Sequence, residues 1–184
     1  DFDHWTGDKL WIYDQQGTVS PEQACGVTRY CAKELGIQHM FIDSLMKCIK
    51  GEDDYNGQKA FIDELCAIAK DYSIHIHLVH HIKKPPDENH KPTKYDYKGS
   101  GSITDQADNV VSVWRNKPKE KKREAGVQVN EQDPDLMLIC DKQRHGDWEG
   151  MIGLWFHQES QQFVASPGEE PIKLMDVRYE EESF

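Results

Sequence analysis

Positive charge is scarce here: 22 lysines and arginines face 33 aspartates and glutamates, leaving a formal net charge of −11 over 184 residues. That balance excludes a protein that coats DNA with its whole surface, although it allows a local basic patch. Long apolar runs are missing too, and nothing approaches the roughly 20 residues of a membrane-spanning helix. Cysteine is sparse: Cys25, Cys31, Cys48, Cys66 and Cys140 are odd in number and form no C-x-x-C pair. A disulfide framework or zinc ribbon is therefore not expected, and a reducing compartment fits best. No signal peptide opens the chain, which starts Asp1-Phe2-Asp3-His4 without methionine. The expectation is a section of a longer protein.

What is present suffices for one domain. The set AVILMFWYC makes up 37% and charged residues 30%, polar but able to form a core. Among nine histidines, His75 and His77 alternate within an apolar run and so share a face. The spacing places no third ligand for a metal beside them.

Leu10-Trp11-Ile12-Tyr13 reads as a short buried strand. Ser20-Pro21-Glu22-Gln23 has the form of a capping box with proline at the first helical position, opening a helix to about Leu35 that Gly36 stops. Residues 37–42 read as a second strand, ended by Asp43. A polar loop with Gly51, Asp53 and Asp54 leads to a helix over about 57–72. There Ala60, Phe61, Leu65, Ile68 and Ala69 repeat at the helical period. Residues 74–79 are a third strand. Alternation of strand and helix predicts βαβ units, a parallel sheet and helices on both faces. Further strands are expected at 110–114 and 136–140, with a closing hairpin over 151–156 and 162–164. The basic run 115–124 reads as a solvated hairpin tip.

Four features could carry chemistry. Met40-Phe41-Ile42-Asp43 puts a carboxylate at the rim where α/β sheets bind ligands, although aspartate also caps ordinary loops. His81-Ile82-Lys83-Lys84-Pro85 follows the neighbouring strand and is either a phosphate-sensing exit or a solvated turn. Lys98-Gly99-Ser100-Gly101 allows a tight turn into a short helix, followed by Ala107-Asp108 and a strand. It is not a Walker A loop, since G-x-x-x-x-G-K-[ST] occurs nowhere in the sequence. Asp141-Lys142-Gln143-Arg144 ends a strand with two cations that can project the same way, suiting a phosphate across an interface or a salt-bridged strand exit.

In order and spacing, these features resemble the helicase domain of hexameric replicative helicases of the RecA-like superfamily, of the phage primase–helicase and DnaB types. The most specific blocks are KGSGSITDQADNVVSVWRN and ICDKQRHGDWEGMIGLWF, and the resemblance runs from about Lys9 to Phe163. It implies a RecA-like α/β core over 1–165, mainly parallel in its sheet and truncated at its N-terminal end, then an acidic mobile tail over 166–184. Asp43 matches the Walker B aspartate that helps position Mg2+. His81 matches the γ-phosphate sensor, with His80 as the register alternative. Arg144 matches the arginine finger that completes a neighbour's ATP site, accompanied by Lys142. Lys83, Lys91, Lys94, Lys98, Gly99 and Ser100 fall where such helicases contact single-stranded DNA.

The implied parent is an ATP-dependent 5′-to-3′ DNA helicase of a phage or prophage. It would work as a homo-oligomeric ring, a hexamer in the family, in the cytoplasm of a bacterial host. In the family the Walker A loop and catalytic glutamate precede this region, so the chain alone is expected to be inactive, with no tightly bound cofactor. Without the interior P-loop strand, strand edges should be left bare. The tail sets Glu169, Glu170, Asp176, Glu180, Glu181 and Glu182 against Lys173 and Arg178 and ends in Phe184. Such tails in phage primase–helicases dock on the replicative DNA polymerase. The alternatives are a recombinase-like ATPase of the same superfamily and a non-catalytic RecA-like interaction module.

Overall fold

The computed structural model describes residues 6–173 except 16, 52, 86 and 100. Helix α1 spans Pro21–Glu34. Ser20 caps it, accepting the Gln23 N–H at 3.1 Å, and Gly36 leaves it at φ +63°. The capping box is only half made, because the Gln23 amide donates to the Tyr13 hydroxyl. Strand β1 (His39–Ile42) follows, then helix α2 (Tyr55–Asp71), whose cap Asp54 accepts the Gly57 N–H at 2.9 Å. Strand β2 (His75–Leu78) runs parallel to β1, with His39 opposite His75 and Ile42 opposite Leu78.

Phe61, Ile62, Leu65 and Ile68 of α2 are buried against Cys25 of α1, Leu45, Cys48, Ile49 and Ile74. Full burial of such side chains contributes about 1.5–3 kcal/mol each. Ile42, Ile76 and Leu78 turn the inner face of the parallel pair onto this core. Period-two alternation puts His39, Phe41, His75 and His77 on the opposite face, where Phe41 is 68% exposed and stacks on His77.

The second half begins with a short helix α3 (Ser102–Gln106) and strand β3 (Asn109–Arg115). Helix α4 (Lys117–Glu124) then leads through a loop to β4 (Leu136–Gln143), β5 (Gly150–His157) and β6 (Gln162–Val164). These four strands form a separate antiparallel sheet in the order β3-β4-β5-β6.

Four expectations need correction. The sheet is not mainly parallel: among the described residues only β1 and β2 pair that way, and the other three pairings are antiparallel. A parallel return needs a crossover helix with an apolar stripe, and α4, reading KPKEKKRE, has none. Helices therefore do not cover both faces of the parallel pair among the described residues. Leu10–Tyr13 is not a strand; it is exposed, Ile12 by 80%, because no neighbouring strand takes up its backbone. The basic run is a helix rather than a hairpin tip, because Asn116 caps it through the Lys119 N–H and Pro118 fits its first turn. Its Lys119 is buried, with Nζ 2.9 Å from Asp135 Oδ1 and donating to the Asp133 carbonyl at 2.6 Å.

Candidate functional site

Parallel pairing sends the chain out of β1 and β2 at the same edge. The Val79 N–H donates to the Ile42 carbonyl at 2.9 Å, and the Leu45 N–H donates back to the Val79 carbonyl at 3.0 Å. Asp43 is thereby held beside Val79, with its carboxylate exposed and Ser44 and Leu45 buried beneath it. The Asp43–Ser44 peptide is cis. His81 is exposed at the same rim, whereas His80 is half-buried, stacked on Tyr97, with Nε2 2.6 Å from the Lys98 carbonyl.

The loop between His81 and Lys98 is tied at its base and along its length. Ile82 and Tyr97 form an antiparallel bridge, and the Lys98 N–H donates to the His81 carbonyl. Asp96 accepts from the Thr93 N–H, the Thr93 hydroxyl and His90. The Thr93 backbone bond, then His90, holds its carboxyl below the ordinary carboxylate range. The Tyr97 hydroxyl meets Ser112 Oγ at 2.8 Å, and Ser112 donates to Asp141 at 2.9 Å, joining the loop to β3 and β4. Burial pushes the Tyr97 hydroxyl up. Lys83, Lys91 and Lys94 are exposed; Lys91 lies over the Trp114 ring and Lys94 over Tyr95. Lys98 and Gly99 are half-buried, and Gly99 has φ +81° with its α-carbon against the buried Gln58 amide. Ser100 and Phe184 lie outside the described residues.

Lys142 and Arg144 form a second group, at the end of β4. Both reach onto the end of α3, where Lys142 Nζ donates to the Thr104 and Asp105 carbonyls and Arg144 pairs with Asp108. The structure thus places Asp43 and His81 after the ends of adjacent parallel strands, and brings Lys142 and Arg144 together on the end of α3. The 98–108 segment carries Asp108 in its Ala-Asp step without marking it as a partner of Arg144, and nothing in the sequence pointed to Tyr97, Ser112 and Asp141 as a relay of hydroxyls and a carboxylate.

Magnesium is held by one or two carboxylates together with substrate phosphates and water, and the exposed Asp43 suits that mode. No group of three or more histidine, cysteine or acidic side chains among the described residues could hold a metal by itself. A cradle for the β- and γ-phosphates needs clustered backbone N–H groups of the Walker A type, which the sequence does not contain. Among the described residues no helix is long and apolar enough to cross a membrane.

An α/β domain with an acid and a histidine at the carboxyl ends of adjacent parallel strands has its ligand edge where open α/β sheets carry theirs. The DnaB-like helicase C-terminal domain family matches residues 2–165, and the chain belongs to that family. A solved structure described as "The Structure Of A DnaB-Like Replicative Helicase And Its Interactions With Primase" superimposes with a TM-score of 0.63 at 21% identity. The match covers 83% of this chain and 36% of that one, so the chain spans about a third of its length. The likeness is one of fold. No curated protein matches the chain.

Proposed function

We propose that this chain is part of the motor of a hexameric, ATP-dependent replicative DNA helicase of a phage or prophage, unwinding 5′-to-3′ in a bacterial cytoplasm. Family membership supports the replicative helicase role. The observation that supports the finer reading is that Asp43 and His81 follow adjacent parallel strands at their shared carboxyl edge, while Lys142 and Arg144 stand at the end of β4. A site divided between subunits would draw on two such groups. Asp43 and His81 face the nucleotide of their own subunit, and Arg144, with Lys142, serves the next.

In this reading Asp43 helps hold Mg2+ on ATP, and the metal supplies charge neutralisation at the phosphates. His81 senses the terminal phosphate and passes its state to Lys98, whose backbone N–H donates to the His81 carbonyl at 3.3 Å while the neighbouring His80 ring meets the Lys98 carbonyl at 2.6 Å. Lys83, Lys91, Lys94 and Lys98, with Gly99 and Ser100, track the backbone of single-stranded DNA in the ring's channel. A RecA-like core over 1–165 fits a further feature. β2 and β3 each have an unpaired edge among the described residues, and both line a groove of about 740 Å³. An interior P-loop strand contributed by a longer protein would fill it. The acidic tail over 166–184, ending in Phe184, is an anchor for the replicative polymerase, steered by charge and seated by the terminal ring.

The test compares the 184-residue chain with a complete helicase that carries it. The chain alone should show no ATP turnover, while the complete protein should hydrolyse ATP with stimulation by single-stranded DNA and lose this in Asp43→Ala. Steady turnover by the chain alone, abolished by Asp43→Ala, would overturn the proposal. A complete protein that binds partners but hydrolyses nothing favours a non-catalytic RecA-like module instead. DNA-stimulated hydrolysis without strand separation favours a recombinase-like ATPase. Deleting Tyr179–Phe184 should weaken polymerase binding at low salt and leave ATPase intact; unchanged binding removes the tail's role.

A further inference from the structure

β4 ends in two cations that fold back onto one short helix. Lys142 Nζ donates to the Thr104 and Asp105 carbonyls at 2.9 and 2.7 Å. Arg144 Nη2 donates to the Asp105 and Gln106 carbonyls at 3.1 and 3.3 Å. Arg144 Nη1 pairs with Asp108 Oδ1 at 2.7 Å, and its backbone N–H donates to the Asp108 carbonyl at 2.8 Å. Carbonyls at a helix end carry partial negative charge. The end of α3 and the Asp108 carboxylate together make an anionic cradle for the two side chains.

A guanidinium grips a phosphate best through two N–H groups side by side. In Arg144 both terminal nitrogens are already engaged inside their own chain. An Arg144 that serves a neighbouring phosphate must first leave this cradle. We infer that Asp108 is a positioning residue that holds Arg144 withdrawn, and that DNA binding frees Arg144 by moving α3.

The route is short. α3 begins directly after Lys98-Gly99-Ser100-Gly101, the segment proposed to touch DNA. The Gly101 carbonyl accepts the Asp105 N–H at 3.1 Å and the Thr104 hydroxyl at 3.0 Å. Thr104 and Asp105 are the residues whose own carbonyls hold Lys142. A shift at Gly101 therefore moves the cradle itself. Both partners of the Arg144–Asp108 pair are only half-shielded, at 41% and 44% side-chain exposure. Pairs of that kind are weak, which suits a contact that must open in each cycle. The surrounding cleft also carries Asp63, Lys70, Asp71 and Asp105, so removing Asp108 alone leaves a mixed-charge setting.

This inference rests on the reading of Arg144 as a residue acting on the neighbouring subunit, and the experiment separates the two. In the complete ring, Asp108→Asn should raise ATP hydrolysis without DNA by about two- to five-fold, the range an exposed ion pair commands. The DNA-saturated rate should stay unchanged, so the stimulation ratio falls by the same factor. Asp108→Glu, which keeps the charge, should restore most of the ratio. A merely structural role for Asp108 lowers both rates together. A DNA-free rate that is unchanged or lower in Asp108→Asn overturns the inference. Asp108→Ser is read the same way if the asparagine variant fails to assemble, and loss of the ring in both variants also overturns it. Failure of the underlying reading shows separately, as hydrolysis that survives Arg144→Ala.

Discussion

Between Pro21 and Leu78 the chain is held by apolar burial; between Asn109 and Val164 it is held by strand pairing and buried charge. The main core draws on α1, α2, the turn after Asp43 and Ile74, and among the described residues only Ile103 enters it from the second half as a buried side chain. The antiparallel half buries Val110, Leu136 and Ile139, alongside Ser112, Lys119 and Asp135. The difference teaches how one small domain divides its tasks. The parallel half places Asp43 and His81 just beyond the ends of its two strands. The antiparallel half ends in Lys142 and Arg144, which pair with carbonyls and a carboxylate of its own chain.

The largest effect expected from this division is in catalysis. In the complete ring, Arg144→Ala should lower DNA-stimulated hydrolysis by about 10³–10⁵-fold, the usual worth of an arginine supplied from outside the site. Nucleotide binding by single subunits should survive. Mixing Arg144→Ala subunits with Asp43→Ala subunits should return part of the activity, measured as steady-state phosphate release, because each supplies the half the other lacks. Lost nucleotide binding in isolated Arg144→Ala subunits would place Arg144 in its own site and break the division.

Stability should separate the halves next. Phe61→Ala opens a cavity in the apolar core and should cost about 3–5 kcal/mol in urea unfolding. Lys119→Met leaves the Asp135 carboxylate with only the Phe156 N–H and the 3.4 Å Arg123 contact, and should cost less, about 1–3 kcal/mol, at neutral pH. The two diverge in acid: protonating Asp135 removes the charge that lost its main partner, so the Lys119→Met penalty shrinks while the Phe61→Ala penalty persists. Equal behaviour of the two variants at about pH 4, near the unfolded aspartate value, would contradict this contrast.

Acid itself should act on the halves in sequence. His77 is pushed below the ordinary histidine range by burial, then by His75 and His39. Its unfolded form takes a proton first, so stability falls as pH drops below the unfolded value of about 6.5. Burial pushes Asp135 up, but Lys119, the Phe156 N–H and Arg123 outweigh it and leave the carboxyl below its ordinary value. Its contribution is complete above the unfolded value of about 3.9 and is lost as pH falls through the lower folded one. Amide exchange, corrected for intrinsic rates, should show β1, β2 and α2 loosening near about pH 6 and β3 to β5 only below about pH 4.

The smallest effect concerns DNA. Lys83, Lys91, Lys94 and Lys98 lie among Asp87, Glu88 and Asp96, so their net excess is slight. Replacing all four with alanine in the complete protein should flatten the salt dependence of single-strand binding by roughly 0.7 for each phosphate that is no longer neutralised. An unchanged slope would move the DNA-binding role to α4. There Lys121 pairs with Glu88 and Arg123 with Glu131, which leaves less charge available.

The parallel half was readable because its signals are local. Ser20 and Gly36 mark helix ends within a turn or so of the chain, and the α2 stripe has a period that any helix must show, although Asp54 read as loop rather than as the cap it is. The antiparallel half was not, because strand direction depends on distant partners. Val110–Trp114 and Leu136–Cys140 look alike whether paired parallel or antiparallel. The decisive clue was the lack of any apolar face in KPKEKKRE. Lys119 looked like one more solvated lysine, since only folding brings Asp133 and Asp135 to it. At the site, Asp43, His81 and Arg144 stood out by their places at strand ends. Asp108 gained its meaning only when Arg144 was seen to rest on it.

Gly99 and Gly101 look interchangeable in the sequence, yet their backbones differ. Gly99 sits at φ +81° with Gln58 where a side chain would begin, whereas Gly101 has helical angles and open space around its α-carbon. In a library randomised at both positions, selection for growth should keep glycine at the first and let the second drift to alanine or serine. Escape at position 99 should require a smaller residue at 58 and a side chain tolerant of the left-handed region, so the two positions should change in pairs.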